Sequence, residues 1–284
     1  MKNSMKLFLC ILIISFITSC TNDDVKQLSQ DNLDLLVVKS EADFIIESDV
    51  ALGNDAAVLR NSFASGINAP NPNVTNSASC ATITVLEGGL SGGTFNFPFK
   101  IKVDFGDGCT NANGVTRKGI VTIEFSNFLM ATGSTMTIVR GDNYYINQRK
   151  VEGTIVYTNI TTNPSTPSWT RVVIDGKVTR NGQMFLHEGN RTVVMMAGAV
   201  TPILTDNVYH ITAGMHTVTK PNGDILTTTV LETLVKPYTC QHITQGQISL
   251  EGQVLNGVLD YGTGTCDNQA IYTHSNGITY NITL

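Results

Sequence analysis

The sequence predicts a mainly β protein, an antiparallel meander or sandwich-like sheet domain with a short helical N-terminal segment. Three observations carry that expectation. Charged residues make up only 14% of the chain while Thr, Val, Ile, Asn and Gly recur along it, a composition that suits strands and tight turns. Several segments alternate apolar and polar residues with the two-residue period of a strand. A cysteine-bearing unit occurs twice, opening at Cys80 and again at Cys240, and each copy reads as a hairpin.

The elements follow in order. EADFIIESDVALGNDAAVLRNSF (41–63) is rich in Ala, Leu and acidic residues and lacks alternation. It predicts one or two short helices, divided at Gly53-Asn54, that dock Phe44, Ile45, Val50, Leu52, Val58 and Leu59 on the β domain. TFNFPFKIKV (94–103) places Phe95, Phe97, Phe99, Ile101 and Val103 on one parity. RVVIDGKVT (171–179) reads as a second half-buried strand, with Val172, Ile174 and Val178 facing the core and Arg171, Asp175, Lys177 and Thr179 facing water. TNPSTPSW (162–169) carries two prolines among small polar residues and predicts an exposed loop. Asn181-Gly182, Pro221-Asn222-Gly223 and Asn256-Gly257 supply turn residues that accept positive φ. The expected layout is a signal at 1–19, a tether at 20–39, a helical segment and linker at 40–79, and an antiparallel domain at 80–284 with related hairpin units at 80–130 and 240–284.

The N-terminus, MKNSMKLFLCILIISFITSC, sets Lys2 and Lys6 before an apolar run from Leu7 to Ile17. That is the layout of a secretory signal, and the run is shorter than the roughly 20 residues a bilayer-spanning helix needs. Ile17, Thr18, Ser19 and Cys20 resemble the bacterial lipobox, which implies cleavage before Cys20 and lipid on its thiol. Asp23 and Asp24 then resemble the export signal of Bacteroidota surface lipoproteins. The resemblance implies an outer-membrane lipoprotein at the cell surface, with a periplasm-facing location as the alternative. Loss of Lys2 and Lys6 with the signal takes the net charge from −5 to −7. An acidic chain without a basic run offers nucleic acid no counterion-releasing surface, so membrane contact is expected through the lipid alone.

Beyond Cys10 in the signal and Cys20, the chain holds Cys80, Cys109, Cys240 and Cys266. An even number in an exported chain predicts two disulfides, for which three pairings exist. Both Cys80 and Cys240 open a Cys-x-x-Ile-Thr stretch, and each is followed by an Asp-aromatic-Gly-x-Gly turn and a second cysteine, in VDFGDGCTN and LDYGTGTCDN. In a hairpin the cysteine before the first strand lies beside the one after the second. Cys80 is therefore expected to pair with Cys109, and Cys240 with Cys266.

Candidate sites were weighed against plainer readings. Asp104 and Asp107 could offer oxygens to Ca²⁺, but the second copy keeps only Asp260 and has Thr263 in place of the other, which favours a turn over a metal site. DFGDG also resembles the turn of PKD-type adhesion modules, although Val103 stands where their tryptophan would be. Gly89-Leu90-Ser91-Gly92-Gly93 fits the pattern of a hydrolase nucleophile elbow, yet a strand and not a helix follows, so a glycine turn is expected. His187, His210, His216, His242 and His274 form no ligand motif; His210 and His216 share a parity. No metal or cofactor is expected. Trp169, Tyr144 and Tyr145, with Tyr157 and Tyr209, could form a binding surface for a glycan or an envelope protein.

DFGDGCT, TRKG (116–119), NYYINQRKVEGT (143–154) and LDYGTGTCDN resemble uncharacterised β-rich lipoproteins of Bacteroidota. The resemblance implies no activity. The leading expectation is a non-enzymatic binding or structural module held to the membrane by lipid. The alternative is a secreted glycan-active hydrolase whose carboxylates are assembled only by the fold.

Overall fold

The computed structural model describes residues 28–64 and 80–284 apart from Pro202. The signal, Cys20, the first part of the tether and the linker at 65–79 lie outside the described residues. The protein is mainly β, with one N-terminal helix, α1 (Gln30–Ala64), and one large antiparallel sheet.

The strands are β1 (Thr82–Ser91), β2 (Thr94–Asp104), β3 (Cys109–Thr110), β4 (Thr116–Lys118), β5 (Ile120–Phe125), β6 (Thr135–Arg140), β7 (Tyr145–Ile146) and β8 (Arg149–Asn159). After them come β9 (Ser168–Arg180), β10 (Gln183–Ala197), β11 (Val208–Thr219), β12 (Ile225–Pro237), β13 (Gln245–Gly252), β14 (Gly257–Thr263), β15 (Gln269–His274) and β16 (Thr279–Thr283). The main path runs β1-β2-β5-β6-β8 and then in sequence order to β16, while β3, β4 and β7 form a side ladder beside β8. Short connections dictate this meander. Asn181-Gly182 makes a two-residue turn between paired Arg180 and Gln183, with φ of 51° and 75° that match the strand twist. Gly92-Gly93 does the same between Ser91 and Thr94, so the Gly-x-Ser-x-Gly stretch is a hairpin tip and Ser91 is exposed.

The helix differs from the expectation of two short pieces after a tether. It is a single helix of 35 residues that passes through Gly53-Asn54 without a break. Gly53 is the point of closest approach to the sheet, where an added Cβ would collide with Met136 of β6. Leu36, Lys39, Ala42, Ile45, Asp49, Leu52 and Asp55 are all buried. At about 100° per residue those positions point in every direction around the axis, so α1 has no solvent face over this length. Its side chains bond to residues of β6, β8, β9, β14 and, through Asn54, β11. The sheet is therefore rolled around the helix, with no ladder between β1 and β16 among the described residues.

This enclosure reverses one expected strand. In β9 the inward residues are Trp169, Arg171 and Val173, and Val172 and Ile174 face out, the opposite of the hydrophobic reading. Arg171 turns inward because Glu47 of α1 meets its guanidinium at 2.6 Å. A local shift at Asp175, with φ of 52°, then restores Gly176 and Val178 to the inside. In β2 the alternation holds, with Phe99, Ile101 and Val103 fully buried.

The duplicated units close alike. Cys80 pairs with Cys109 and Cys240 with Cys266, each with Cα atoms 5.6 Å apart. Asp104 Oδ1 accepts from the Gly106 N–H at 2.9 Å, and Asp260 Oδ1 from the Gly262 N–H at 2.8 Å. Both aspartates are spent on the same turn. The copies diverge afterwards, since β2 is joined by β5 and β14 by β15.

The inverted strand can be tested with two neighbouring, nearly isosteric changes. Val173 is 5% exposed and Val172 37%. Val173→Thr buries a hydroxyl and should cost about 1–3 kcal/mol by urea unfolding, whereas Val172→Thr should stay within about 0.5 kcal/mol. Equal effects would return Val172 to the core.

Candidate functional site

The interior of the roll is polar as well as apolar. Carboxylates on α1 meet cations that project from the strands: Asp49 with Arg140 at 2.8 Å, Glu47 with Arg171, and Glu41 with Arg149 at 2.9 Å. Arg180 reaches both Asp34 and Glu41, at 3.5 and 3.4 Å. Tyr144 donates to Asp49 at 2.7 Å, and Arg117 donates to Tyr144 and to the Ser48 carbonyl. Asp43 bonds Lys39 one turn away and accepts from Tyr261 at 3.1 Å. Burial would raise the Asp43 pKa, but the Lys39 ammonium prevails and holds the carboxyl well below its usual range. Burial takes Lys39 down to about 8. These interior carboxylates are thus committed to structure, each bonded to a cation on α1 or the strands.

Above this belt two histidines meet across adjacent strands. His187 Nδ1 lies 3.4 Å from His216 Nε2, and both rings are buried. Each ring faces a glycine on the next strand: His187 is paired with Gly176 and His216 with Gly189. A Cβ at Gly176 would sit 2.8 Å from the His187 ring, and one at Gly189 would sit 2.9 Å from His216. His210 and His216 share a parity in the sequence but not a face, because a bulge at Gly214 (φ 124°) turns His210 to the outer side while His216 is buried. Among the described residues no group of three metal-ligating side chains gathers here.

A cavity of about 380 Å³ opens at the end of the roll reached by the C-terminal half of α1. From α1 it is lined by Asn54, Ala57 and Val58, where earlier turns of the helix carry Leu36, Ile45 and Ile46. Trp169 stacks on Tyr157 at 5.5 Å to form one wall, with Met195 beside them. The loop after β5 supplies Phe128, Leu129 and Met130, and the Leu129 carbonyl accepts from Asn159 Nδ2 at 2.8 Å and Trp169 Nε1 at 3.3 Å, which fixes that loop. The loop after β10 forms the other lip, braced by Thr201 donating to Asp206 at 2.7 Å. Around the mouth Phe128, Met130, Met196 and Ile203 are exposed, and Val200 is 95% exposed. A polar corner lies inside, where Asn54 and Asn207 both donate to the Tyr209 hydroxyl, at 3.4 and 2.9 Å. Among the described residues the cavity is lined by no Asp, Glu, Lys, Arg or His.

The aromatic residues singled out in the sequence part company here. Trp169 joins Tyr157 and Tyr209 at the cavity, but it is 1% exposed and presents no face to the outer surface. Tyr144 is fully buried against Asp49, and Tyr145 lies in β7, away from the cavity. The outward-facing platform expected of Trp169, Tyr144 and Tyr145 is not formed, because two of the three rings are needed inside the roll. Asn54, Asn207, Met195 and the 128–130 loop were missed. Three consecutive large apolar residues, Phe128-Leu129-Met130, between turn residues were a signal that could have found the last of these.

Two measurements test the interior. Asp49→Ala leaves Arg140 buried without its partner and should destabilise the protein by about 3–5 kcal/mol in urea unfolding. Burial, reinforced by the nearby cations Lys39, Arg140 and Arg191, depresses His187 from 6.5 to about 3 and holds His216 well below 6.5, against the opposing pull of Asp43. The unfolded chain therefore takes up protons below pH 6.5 that the fold refuses. Stability should be full above that pH and fall below it by up to about 1.4 kcal/mol per pH unit for each histidine. His187→Gln should make the decline shallower, and an unchanged slope would place the proton uptake elsewhere.

No family model, no curated protein and no solved structure matches this chain.

Proposed function

We propose that the protein is a lipoprotein of the outer membrane, anchored through Cys20 and facing the cell surface or the periplasm, and that it works by binding and not by catalysis. The observation that supports binding is the mouth cavity: concave, aromatic and aliphatic, with a braced rim and a small polar corner. Among the described residues its lining holds no acid, base or charged nucleophile partner of the kind an active site uses. The carboxylates that a glycan hydrolase would use are instead engaged by Arg140, Arg149, Arg171 and Lys39. A cavity of this size favours a small molecule over an extended glycan chain. The anchor is supported by the resemblance of residues 17–20 to a lipobox.

Metabolic labelling with alkyne-palmitate should mark the wild-type chain and fail on Cys20→Ala; persistent labelling would reject the anchor. Proteinase K added to intact cells should digest a surface-facing protein and spare a periplasm-facing one. Glycan hydrolysis by the purified protein, lost on replacing a carboxylate of α1 without loss of folding, would put the hydrolase reading in place of binding.

A further inference from the structure

We infer that the mouth cavity takes a neutral amphiphile, a small molecule with an apolar body and one uncharged oxygen function that accepts a hydrogen bond from Tyr209. This inference rests on the binding reading and specifies its ligand. The polar corner is left incomplete by the protein itself. The Tyr209 oxygen accepts from Asn54 and Asn207, and its own hydrogen has no acceptor among the described residues. Asn207 is 4% exposed, and its Oδ1 is buried without a donor among the described residues. Turning that amide over would give Oδ1 the Tyr209 hydrogen but strand the Nδ2 group in its place. In the orientation shown the Tyr209 hydrogen and Asn207 Oδ1 both remain uncommitted beside an apolar cavity, and in the other Asn207 Nδ2 does, a situation native interiors avoid unless water or a ligand completes it.

The ligand's charge follows from the lining. Among the described residues no ionised side chain lines the cavity, so a carboxylate or an ammonium would lose its hydration without gaining a counterion from them. Asp206 at the lip further opposes an anion. Burial raises the Tyr209 pKa, so the phenol stays protonated and remains a donor. A volume of about 380 Å³ lies in the range of small-ligand sites.

The placement of the mouth favours uptake from water over uptake from the anchoring bilayer. From Gln30 to Val58 the helix rises roughly 42 Å. The ten residues from Cys20 to Gln30 extend at most about 36 Å, too little to turn the mouth face-down on the membrane that holds Cys20.

Trp169 is the only tryptophan of the chain, so its emission reports on the cavity alone. The chain from residue 20, carrying Cys20→Ala to keep it free of lipid, is titrated with 1-decanol, decanoate and decylammonium, which share an apolar body and differ in the head. Decanol should change Trp169 emission saturably, with decanoate and decylammonium at least tenfold weaker. Tyr209→Phe should weaken decanol about tenfold, the loss of one hydrogen bond, with an unchanged melting temperature confirming the fold. Ala57→Phe, which fills the cavity, should abolish the response. Decanoate or decylammonium binding as tightly as decanol would overturn the neutral ligand while leaving the cavity a binding site, and undiminished binding to Tyr209→Phe would remove that hydroxyl from it. No response to any of the three would remove the binding reading itself.

Discussion

A helix that carries Asp34, Glu41, Asp43, Glu47, Asp49 and Asp55 can be withdrawn from water only if its carboxylates meet partners, because an unpaired buried charge costs several kcal/mol. That requirement organises the rest of the molecule. Arg140, Arg149, Arg171 and Arg180 reach inward from β6, β8 and β9, strands that pattern alone would fill with aliphatic side chains. Tyr144, Tyr238 and Tyr261 complete the ring with hydroxyl donors. Because each partner sits at one height and one direction around the helix, the pairings also set how α1 is rotated and how far it is inserted.

Wrapping a sheet about such a helix explains features that would be odd in a sandwich. Strand by strand, positive-φ glycines and bulges re-aim the inner face, at Asp175 in β9 and Gly214 in β11. Glycines opposite His187 and His216 make room for two rings in a space already crossed by α1. The edge strand β1 is broken by register shifts around Gly88 and Gly89, which disrupts a row of backbone groups that could otherwise recruit another chain.

The cysteine-bearing hairpins were fully legible from the sequence. Cys80 with Cys109 and Cys240 with Cys266, the Asp104 and Asp260 turns and the glycine tip at 92–93 depend on residues close along the chain, where turn chemistry and hairpin geometry decide the outcome. The alternation of 94–103 was legible for the same reason. The helix was visible in composition but not in extent, because Gly53-Asn54 reads as a break wherever the close approach of Met136 is unknown.

What the sequence by itself determined is the β class, the antiparallel order of neighbouring strands and the two clamped turns, all set by local periodicity and backbone preference. What only the tertiary structure decided is which way β9 faces, which histidines meet, and that Trp169, Tyr157 and Tyr209 share one cavity with Asn54 and Asn207. These depend on contacts between residues far apart in the chain. A strand's inner face is ordinarily chosen by hydrophobicity, but here the enclosed surface is a charged helix, and the electrostatic match of Glu47 to Arg171 outweighs the apolar preference of Val172 and Ile174.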